Sequence, residues 1–282
     1  MNPWQDWIGR EEHRTDRVDP ALTARWLATL DRTAAPHGQV PQGLHWCLCT
    51  PEASTSEIGP DGHPRRSERI DSLLPPLPLP RRMWASSRLE FHQPLRLGET
   101  VSRATRVLSI TAKQGVSGDL IFVELEHRTV GEEGLAISEV QSLVYRAAGD
   151  PEAPPAPPPL GAERFNPSPW AAHRVLVPDE VLLFRFSALT FNSHRIHYDA
   201  PYAQEQENYR GLVVHGPLTA TLLLDLARRE LGDNRLSQFA FRGVSPAICG
   251  EALHLVMRPK AEGHEMAAYA DDGRLVMSAS AS

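Results

Sequence analysis

Segments in which apolar and polar residues alternate occupy most of two regions of this 282-residue chain. A period of two is typical of strands that cover a core with one face, and short turns between such strands favour an antiparallel sheet. In the first region these segments are 87–91, 101–113, 120–130 and 135–147. In the second region they are 236–250, 251–260, 263–272 and 274–281. The pattern therefore predicts an antiparallel sheet in each half of the chain.

A helical pattern replaces the alternation at two places, one in each half. Asp19 and Pro20 are a capping residue and a first-turn proline, and an amphipathic segment follows them. Its apolar face comprises Leu22, Trp26, Leu27 and Leu30. The second helix is predicted to begin at Gly216 and Pro217 and to continue to Leu231 through a very apolar run. Because a helix without a polar face is a buried helix, this one is expected to lie in the core.

Two further segments show little periodicity. Residues 35–80 are rich in Pro, Gly, His and Arg, which predicts a long covering loop. Residues 150–169 form a proline-rich linker, so we divide the chain into an N-terminal domain (1–149), the linker and a C-terminal domain (170–282). After the linker, residues 173–189 are predicted to be strand.

Composition limits the classes of function. The formal net charge of -6 argues against general nucleic-acid binding. No apolar run approaches membrane-spanning length, and the N-terminus lacks the apolar core of a secretory signal, so we expect a cytoplasmic protein without membrane partners. Three cysteines, Cys47, Cys49 and Cys249, are too few for a disulfide framework and fit a reducing compartment. A monomer and a homodimer are both compatible with the sequence.

The candidate chemistry lies in the segment that precedes the second helix. This segment contains Asn192, His194, Arg195, His197 and Asp199, and His215 stands directly before the helix. A histidine can accept and donate protons near neutral pH, and a helix N-terminus favours a carbonyl oxygen that acquires negative charge. The sequence thus predicts a proton-transfer site at the helix start. Since His and Asp are also metal-ligand types, a metal-dependent hydrolase is an open alternative.

Three stretches give the chain a resemblance to a known family. They are Asp61-Gly62-His63-Pro64, residues 79–85, and residues 186–199 followed by His215-Gly216. Together with the order of elements, they resemble the MaoC-like enoyl-thioester hydratases and dehydratases. The resemblance implies an α+β double hotdog fold, in which two antiparallel sheets are each wrapped around a central helix. Within the group, the chain looks most like the type 2 hydroxyacyl-thioester dehydratases and the mesaconyl-C4-CoA and itaconyl-CoA hydratases.

The resemblance also implies roles for individual residues. In the MaoC-like group, an Asp-x-Asn-Pro-x-His loop holds the water that is added to, or removed from, an enoyl thioester. By spacing, His197 matches the His of this loop, Asn192 the Asp, His194 the Asn and Arg195 the Pro. Because an amide cannot ionise, Asn192 can only position the water or the substrate. His197 is therefore the expected proton-transfer group, with a share of the work open to His194 or Asp199.

The same resemblance suggests how a coenzyme A thioester would bind. The predicted substrate-binding residues are His194, Arg195, His215, Gly216, Arg81, Arg82 and Trp84. Arg81 and Arg82 are candidates for phosphate contacts, and Trp84 can pack against adenine or the pantetheine arm. Arg195 and Arg210 are candidates to hold a second substrate carboxylate. No metal and no cofactor other than the coenzyme A of the substrate is expected.

The function implied by the resemblance is reversible hydration of an α,β-unsaturated acyl-CoA by a hydro-lyase. A branched C5 dicarboxylyl-CoA, such as mesaconyl-C4-CoA or itaconyl-CoA giving citramalyl-CoA, is the expected substrate. Four alternatives stay open: an (R)-3-hydroxyacyl-thioester dehydratase of fatty-acid metabolism, a thioesterase on the same fold, the metal-dependent hydrolase, and a non-catalytic acyl-CoA-binding module.

Overall fold

The computed structural model of the chain describes residues 3–32, 38–66, 72–115, 118–149 and 152–282. The strands in these ranges are β1 (Glu11–Arg17), β2 (Arg81–Phe91), β3 (Thr100–Gly115), β4 (Gly118–Gly131), β5 (Gly134–Arg146), β6 (Ala172–Leu176), β7 (Gln238–Gly243), β8 (Leu253–Pro259), β9 (His264–Ala270) and β10 (Leu275–Ala281). The α-helices are α1 (Pro20–Thr29), α2 (Glu180–Thr190), α3 (Ala200–Glu205) and α4 (Gly216–Leu231). The alternating segments are thus confirmed as strands, except that the segment 236–250 is strand only over Gln238–Gly243.

The strands form one continuous antiparallel sheet in the order β1-β3-β4-β5-β2-β7-β10-β9-β8-β6. Its first five strands precede the predicted linker and its last five follow it, so each half of the chain contributes one half of the sheet. The two halves join where β2 pairs with β7, from Ser86 opposite Arg242 to Glu90 opposite Gln238. The domain limits at 149 and 170 stay a prediction.

Helix α4 is the buried helix of the second half, as predicted. It packs against β8 and β9, and its Leu218, Leu222, Leu223 and Leu226 side chains are at most 2% exposed. Burying a leucine side chain stabilises a fold by about 1.5–3 kcal/mol, so these residues fix the helix firmly against the sheet. The N-terminus of α4 is held in place by the same packing.

Helix α1 also begins where the sequence predicts it. The Asp19 carboxylate accepts a hydrogen bond from the Ala21 N–H, and Pro20 occupies the first turn. Trp26 and Leu27 are buried on the predicted face, and α1 packs against α2.

The predicted strand over residues 173–189 is wrong beyond Leu176. Residues from Glu180 to Thr190 form α2, which is capped by the Asp179 carboxylate accepting the Leu182 N–H at 2.8 Å. Its buried positions, Leu183, Phe186 and Leu189, recur every three residues, which is a helical spacing. Exposed apolar residues between them hide this spacing in the sequence.

Strand β1 was not predicted, because its sequence is almost entirely polar. It pairs with β3 at one edge of the sheet, from Glu11 opposite Arg106 to Arg17 opposite Thr100. Charged side chains suit an edge strand because they discourage pairing with other chains.

The segment 35–80 is largely without regular structure, as predicted, although 35–37 and 67–71 lie outside the described residues. Its described part contains the 3-10 helices Leu44–Cys47 and Thr55–Glu57. Leu44, Trp46 and Leu48 are buried in the main core, so the segment covers the fold. No helix in the described ranges is both long and apolar enough to cross a membrane.

Candidate active site

A cavity of about 1200 Å³ lies beside the loop that joins α2 to α3. We refer to residues 191–199 as the polar loop and, from here on, to residues 57–66, one part of the predicted loop 35–80, as the covering loop. Both loops line the cavity, together with the first strand residues of β2, part of β5 and the start of α4. This volume is somewhat above the usual range for small-molecule sites, so the cavity can accept a large ligand.

The end of α2 sets the direction of the polar loop. Phe191 ends the helix in the left-handed region, with φ of 50°, and Asn192 follows it. The Asn192 side-chain oxygen accepts the His194 N–H at 3.0 Å, which closes a turn. Both Asn192 and His194 line the cavity. The amide oxygen of Asn192 is thus engaged in the loop itself, and its NH₂ group is left to act as a donor.

His197 presents a neutral imidazole to the same cavity. Its Nδ1 atom lies 2.7 Å from the Val213 carbonyl oxygen, and a carbonyl only accepts hydrogen bonds, so Nδ1 carries the proton. The Nε2 atom is consequently the unprotonated nitrogen. Burial lowers the pKa of His197 to about 4 and outweighs the opposing effect of the Val213 bond. His197 can therefore accept a proton at neutral pH.

His215 is not among the residues that line the cavity, so its predicted substrate-binding role stays a prediction. Its ring stacks behind that of His197, with centroids 3.5 Å apart, and its Nε2 atom lies 2.8 Å from the Ser187 hydroxyl. The side chain is 1% exposed, and this burial lowers its pKa well below the usual value. His215 instead supports the His197 ring from behind.

The start of α4 reaches the cavity next to His197. Gly216 and Pro217 both line it, and the His215 side chain makes no capping hydrogen bond to the helix. The N-terminal N–H groups and the helix dipole therefore favour negative charge at this wall. His197 and Gly216 thus line the same cavity.

Arg195 and Arg210 are paired with carboxylates of the chain itself, so the prediction that they hold a substrate carboxylate gains no support from the structure. Arg195 pairs with Asp199 at 2.7 Å, and Arg210 pairs with both oxygens of Glu251. Neither arginine lines the cavity. Asp199 also caps α3 by accepting the Tyr202 N–H, which is the structural use that its position suggests.

The three predicted residues of β2 all line the cavity, but in different states. Arg81 forms an ion pair with Glu207, which compensates its charge. The Trp84 indole donates to the Ser87 hydroxyl at 2.9 Å and packs edge-on against Trp46, so it forms part of the wall. Arg82 makes no ion pair with any carboxylate of the described residues.

A pair of residues in the covering loop was not assigned a role from the sequence. The Asp61 carboxylate lies 3.0 Å from Nδ1 of His63, and the His63 ring lies 4.0 Å from that of His194. Both members of the pair line the cavity. Asp61 and His63 belong to one of the stretches that carry the family resemblance. Because more than 120 residues separate them from the polar loop, the sequence gave no reason to place them beside that loop.

The proposed metal ligands do not form a cluster. Across the part of the chain that the structure describes, no three His, Cys, Asp or Glu side chains are arranged to hold a metal ion. Asp199 faces Arg195, and Nδ1 of His197 faces the Val213 carbonyl. Metal analysis of the purified protein is the direct test of this alternative.

Comparison with known proteins supports the family resemblance. Residues 43–249 match the family described as hydroxyacyl-thioester dehydratase type 2. The chain is 42% identical to the mesaconyl-C(4)-CoA hydratase of Chloroflexus aurantiacus over 279 residues, which are 98% of this chain and 96% of that protein. It is 27% identical to the mitochondrial hydroxyacyl-thioester dehydratase type 2 of Schizosaccharomyces pombe, over 76% of each chain.

Solved structures support the fold. A MaoC-like dehydratase from Phytophthora capsici has a TM-score of 0.69 at 14% identity, covering 100% of this chain and 99% of its own. A Mycobacterium tuberculosis protein with a double hotdog fold has a TM-score of 0.58 at 14% identity, covering 97% and 95%. The predicted double hotdog fold and hydro-lyase class are confirmed. The chain belongs to the hydroxyacyl-thioester dehydratase type 2 family.

Proposed function

We propose that the protein adds water reversibly to the double bond of a branched C5 dicarboxylyl-CoA, with mesaconyl-C4-CoA as the first candidate and citramalyl-CoA as the product. The observation that carries the proposal is the position of His197 and Gly216 in one cavity wall. His197 can take a proton from water, and the Gly216 N–H can stabilise the negative charge that develops on the thioester oxygen.

Hydration of a conjugated thioester has three requirements. The water must lose a proton as it attacks Cβ, the carbonyl oxygen must be stabilised as it becomes enolate-like, and Cα must gain a proton. Nε2 of His197 is the acceptor for the first proton, because Nδ1 is fixed by Val213. The Gly216 N–H at the start of α4 is the donor to the thioester oxygen. Asn192, which lines the same cavity, positions the water through its NH₂ group.

Arg82 is a cation of the cavity that pairs with no carboxylate among the described residues, and this supports a substrate with a second carboxylate. In mesaconyl-C4-CoA this carboxylate is bound to Cβ, the carbon that water attacks. Arg82 lies near the histidines of the site, since its charge lowers the pKa of both His63 and His194. Because Arg82 has no anionic partner among the described side chains, its guanidinium is available for a carboxylate.

The rim of the cavity suits the remainder of a coenzyme A ester. Phe184, Phe191 and Tyr198 line the opening and are 68%, 64% and 53% exposed. Exposed aromatic residues around a cavity are typical of a binding surface, and the pantetheine arm is the part of the substrate that would cross them. Coenzyme A enters as part of the substrate, and the proposal includes no separate cofactor.

One assay panel tests the proposed function. Mesaconyl-C4-CoA, itaconyl-CoA and crotonyl-CoA are each incubated with the protein, and the gain of one water is followed by mass. Hydration of mesaconyl-C4-CoA with the highest kcat/KM supports the proposal. A preference for crotonyl-CoA supports a fatty-acyl dehydratase instead, and release of free thiol identifies a thioesterase. Binding of every ester without turnover of any of them identifies a non-catalytic module.

A further inference from the structure

The covering loop brings an Asp–His pair to the active site, although the family's Asp is replaced by Asn192. Nδ1 of His63 lies 3.0 Å from the Asp61 carboxylate, and the two side chains are 19% and 34% exposed. Burial opposes ionisation of Asp61, but the hydrogen bonds and charge of His63 outweigh it and lower the Asp61 pKa to about 2. A carboxylate that is ionised at neutral pH therefore faces this imidazole.

The pair is fixed to the polar loop by several hydrogen bonds. The Ser193 hydroxyl donates to the Gly62 carbonyl at 2.6 Å, and the Arg195 N–H donates to the Asp61 carbonyl at 2.9 Å. The Arg195 guanidinium donates to the Pro60 carbonyl at 2.9 Å. These bonds join residues that are distant in sequence, so they hold His63 in a defined place relative to the polar loop.

His63 differs from the neighbouring histidines in its charged surroundings. Asp61 faces it from the covering loop, His194 from the polar loop, and the charges of Arg82 and Arg66 also reach it. Burial lowers the pKa of His63 below its ordinary value and the charges of Arg82 and Arg66 add to this effect, while the hydrogen bond and charge of Asp61 limit the decrease. His197 has a carbonyl partner in place of a carboxylate. A protonated imidazole is therefore better stabilised at His63 than at His197.

We propose that His63 is a second catalytic residue, which donates the proton to Cα while His197 removes a proton from the attacking water. Asp61 is a positioning residue that stabilises the His63 cation. This inference rests on the hydration proposed above, and it supplies the acid that Asn192 cannot supply, since an amide does not ionise.

The step balances in atoms and charge. The water oxygen bonds to Cβ and loses one proton to Nε2 of His197. The electron pair of the double bond moves into the thioester to give an enolate, and this pair then forms the Cα–H bond with the proton from Nε2 of His63. His197 ends the step as a cation and His63 as a neutral imidazole. The proton returns from His197 to His63 through solvent, so the net change is the addition of one water.

Two variants and a matched control test the proposal, with the pH dependence of kcat as the main measurement. His63→Gln should lower kcat by about a hundredfold, the usual scale for an acid–base group, with a smaller change in KM. Asp61→Asn keeps an oxygen to accept from Nδ1 but removes the charge, so the pKa of His63 should fall. His63 would then lose its proton at a lower pH in this variant, so the alkaline limb of the kcat profile should move to lower pH.

Asp271→Asn is the control, because it removes a carboxylate 3.2 Å from His254, and neither residue lines the cavity. It should leave the kcat profile unchanged. A wild-type kcat in His63→Gln, or an alkaline limb that does not move in Asp61→Asn, would overturn the role of His63. If instead the wild-type protein hydrates no enoyl-CoA of the panel, the proposed function itself fails.

Discussion

The imidazole rings of His197 and His215 lie face to face, with centroids 3.5 Å apart and planes inclined by 18°. Two cations at this separation would repel each other strongly, and burial disfavours a charge on either ring. His215 has its Nδ1 atom buried without a hydrogen-bond partner in the described structure, so it offers no counter-charge. Burial, to which the stacked His215 ring contributes, therefore keeps His197 in the neutral form that accepts a proton.

The first prediction concerns this neutral base. His197→Ala should lower kcat for mesaconyl-C4-CoA by about a hundredfold or more, because a positioned acid–base group contributes on that scale. His254→Gln, a histidine outside the cavity, is the control and should keep its activity. Circular dichroism of both variants checks the fold. Near-normal turnover of a folded His197→Ala protein would remove His197 from the mechanism.

The second prediction links the buried histidines to stability against acid. Burial lowers the pKa of His197 to about 4 and that of His194 to about 2, while the ordinary value is 6.5. Below pH 6.5 the unfolded chain therefore binds more protons at these sites than the folded chain, and the free energy of unfolding should decrease as the pH falls towards 4.

Urea denaturation at about pH 7.5 and about pH 5 measures this loss. His194→Gln should reduce the loss between the two pH values, because one buried site no longer has to stay neutral. His13→Gln, at a side chain that is 72% exposed, should leave it unchanged. An identical loss in His194→Gln and in the wild-type protein would contradict the link.

The third prediction concerns the cation next to the histidines. Arg82→Gln should lower kcat/KM for mesaconyl-C4-CoA by about tenfold to a hundredfold, the scale of a lost charge-assisted hydrogen bond. Crotonyl-CoA, which has no second carboxylate, should lose much less. Arg96→Gln removes an exposed arginine that pairs with Glu133, and it controls for the change in net charge. An equal loss of kcat/KM on both substrates would show that Arg82 binds the coenzyme A part or supports the structure, and that it does not bind the second carboxylate.

Much of the fold follows from local pattern. The alternation over β3, β4 and β5 and the Gly216-Pro217 start of α4 are properties of contiguous sequence, so they can be read without a structure. Helix α2 was misassigned because exposed Val181 and Phe184 interrupt its three-residue spacing of buried side chains. Periodicity reports which positions are apolar, and it cannot report which apolar positions tertiary packing leaves exposed.

For the site, too, the sequence predicts what lies close together along the chain and misses contacts between distant segments. Asn192, His194 and His197 are close in sequence, and the structure places them on one cavity. The partners of Arg195 and Arg210 depend on where Asp199 and Glu251 lie in space, and the sequence does not contain that information. The contact between His63 and His194 could not be predicted for the same reason, because it joins the two halves of the chain.

The last prediction uses two glycines with the same backbone conformation. Gly62 and Gly98 both have φ of +87°, where an L side chain is strained. A Cβ atom at Gly62 would lie 1.8 Å from the Ser193 carbonyl oxygen, whereas at Gly98 it would meet nothing within 4 Å. Gly98→Ala therefore measures the cost of the conformation alone, which is about 1–2 kcal/mol.

Gly62→Ala adds a clash between two backbones, and it can be relieved only if the covering loop moves away from the polar loop. That movement carries Asp61 and His63 away from His194, so kcat should fall well below that of Gly98→Ala even where both variants unfold at similar urea concentrations. Comparing kcat with the urea midpoint separates the two effects. If the two variants have the same kcat, close contact between the covering loop and the polar loop is not required for turnover.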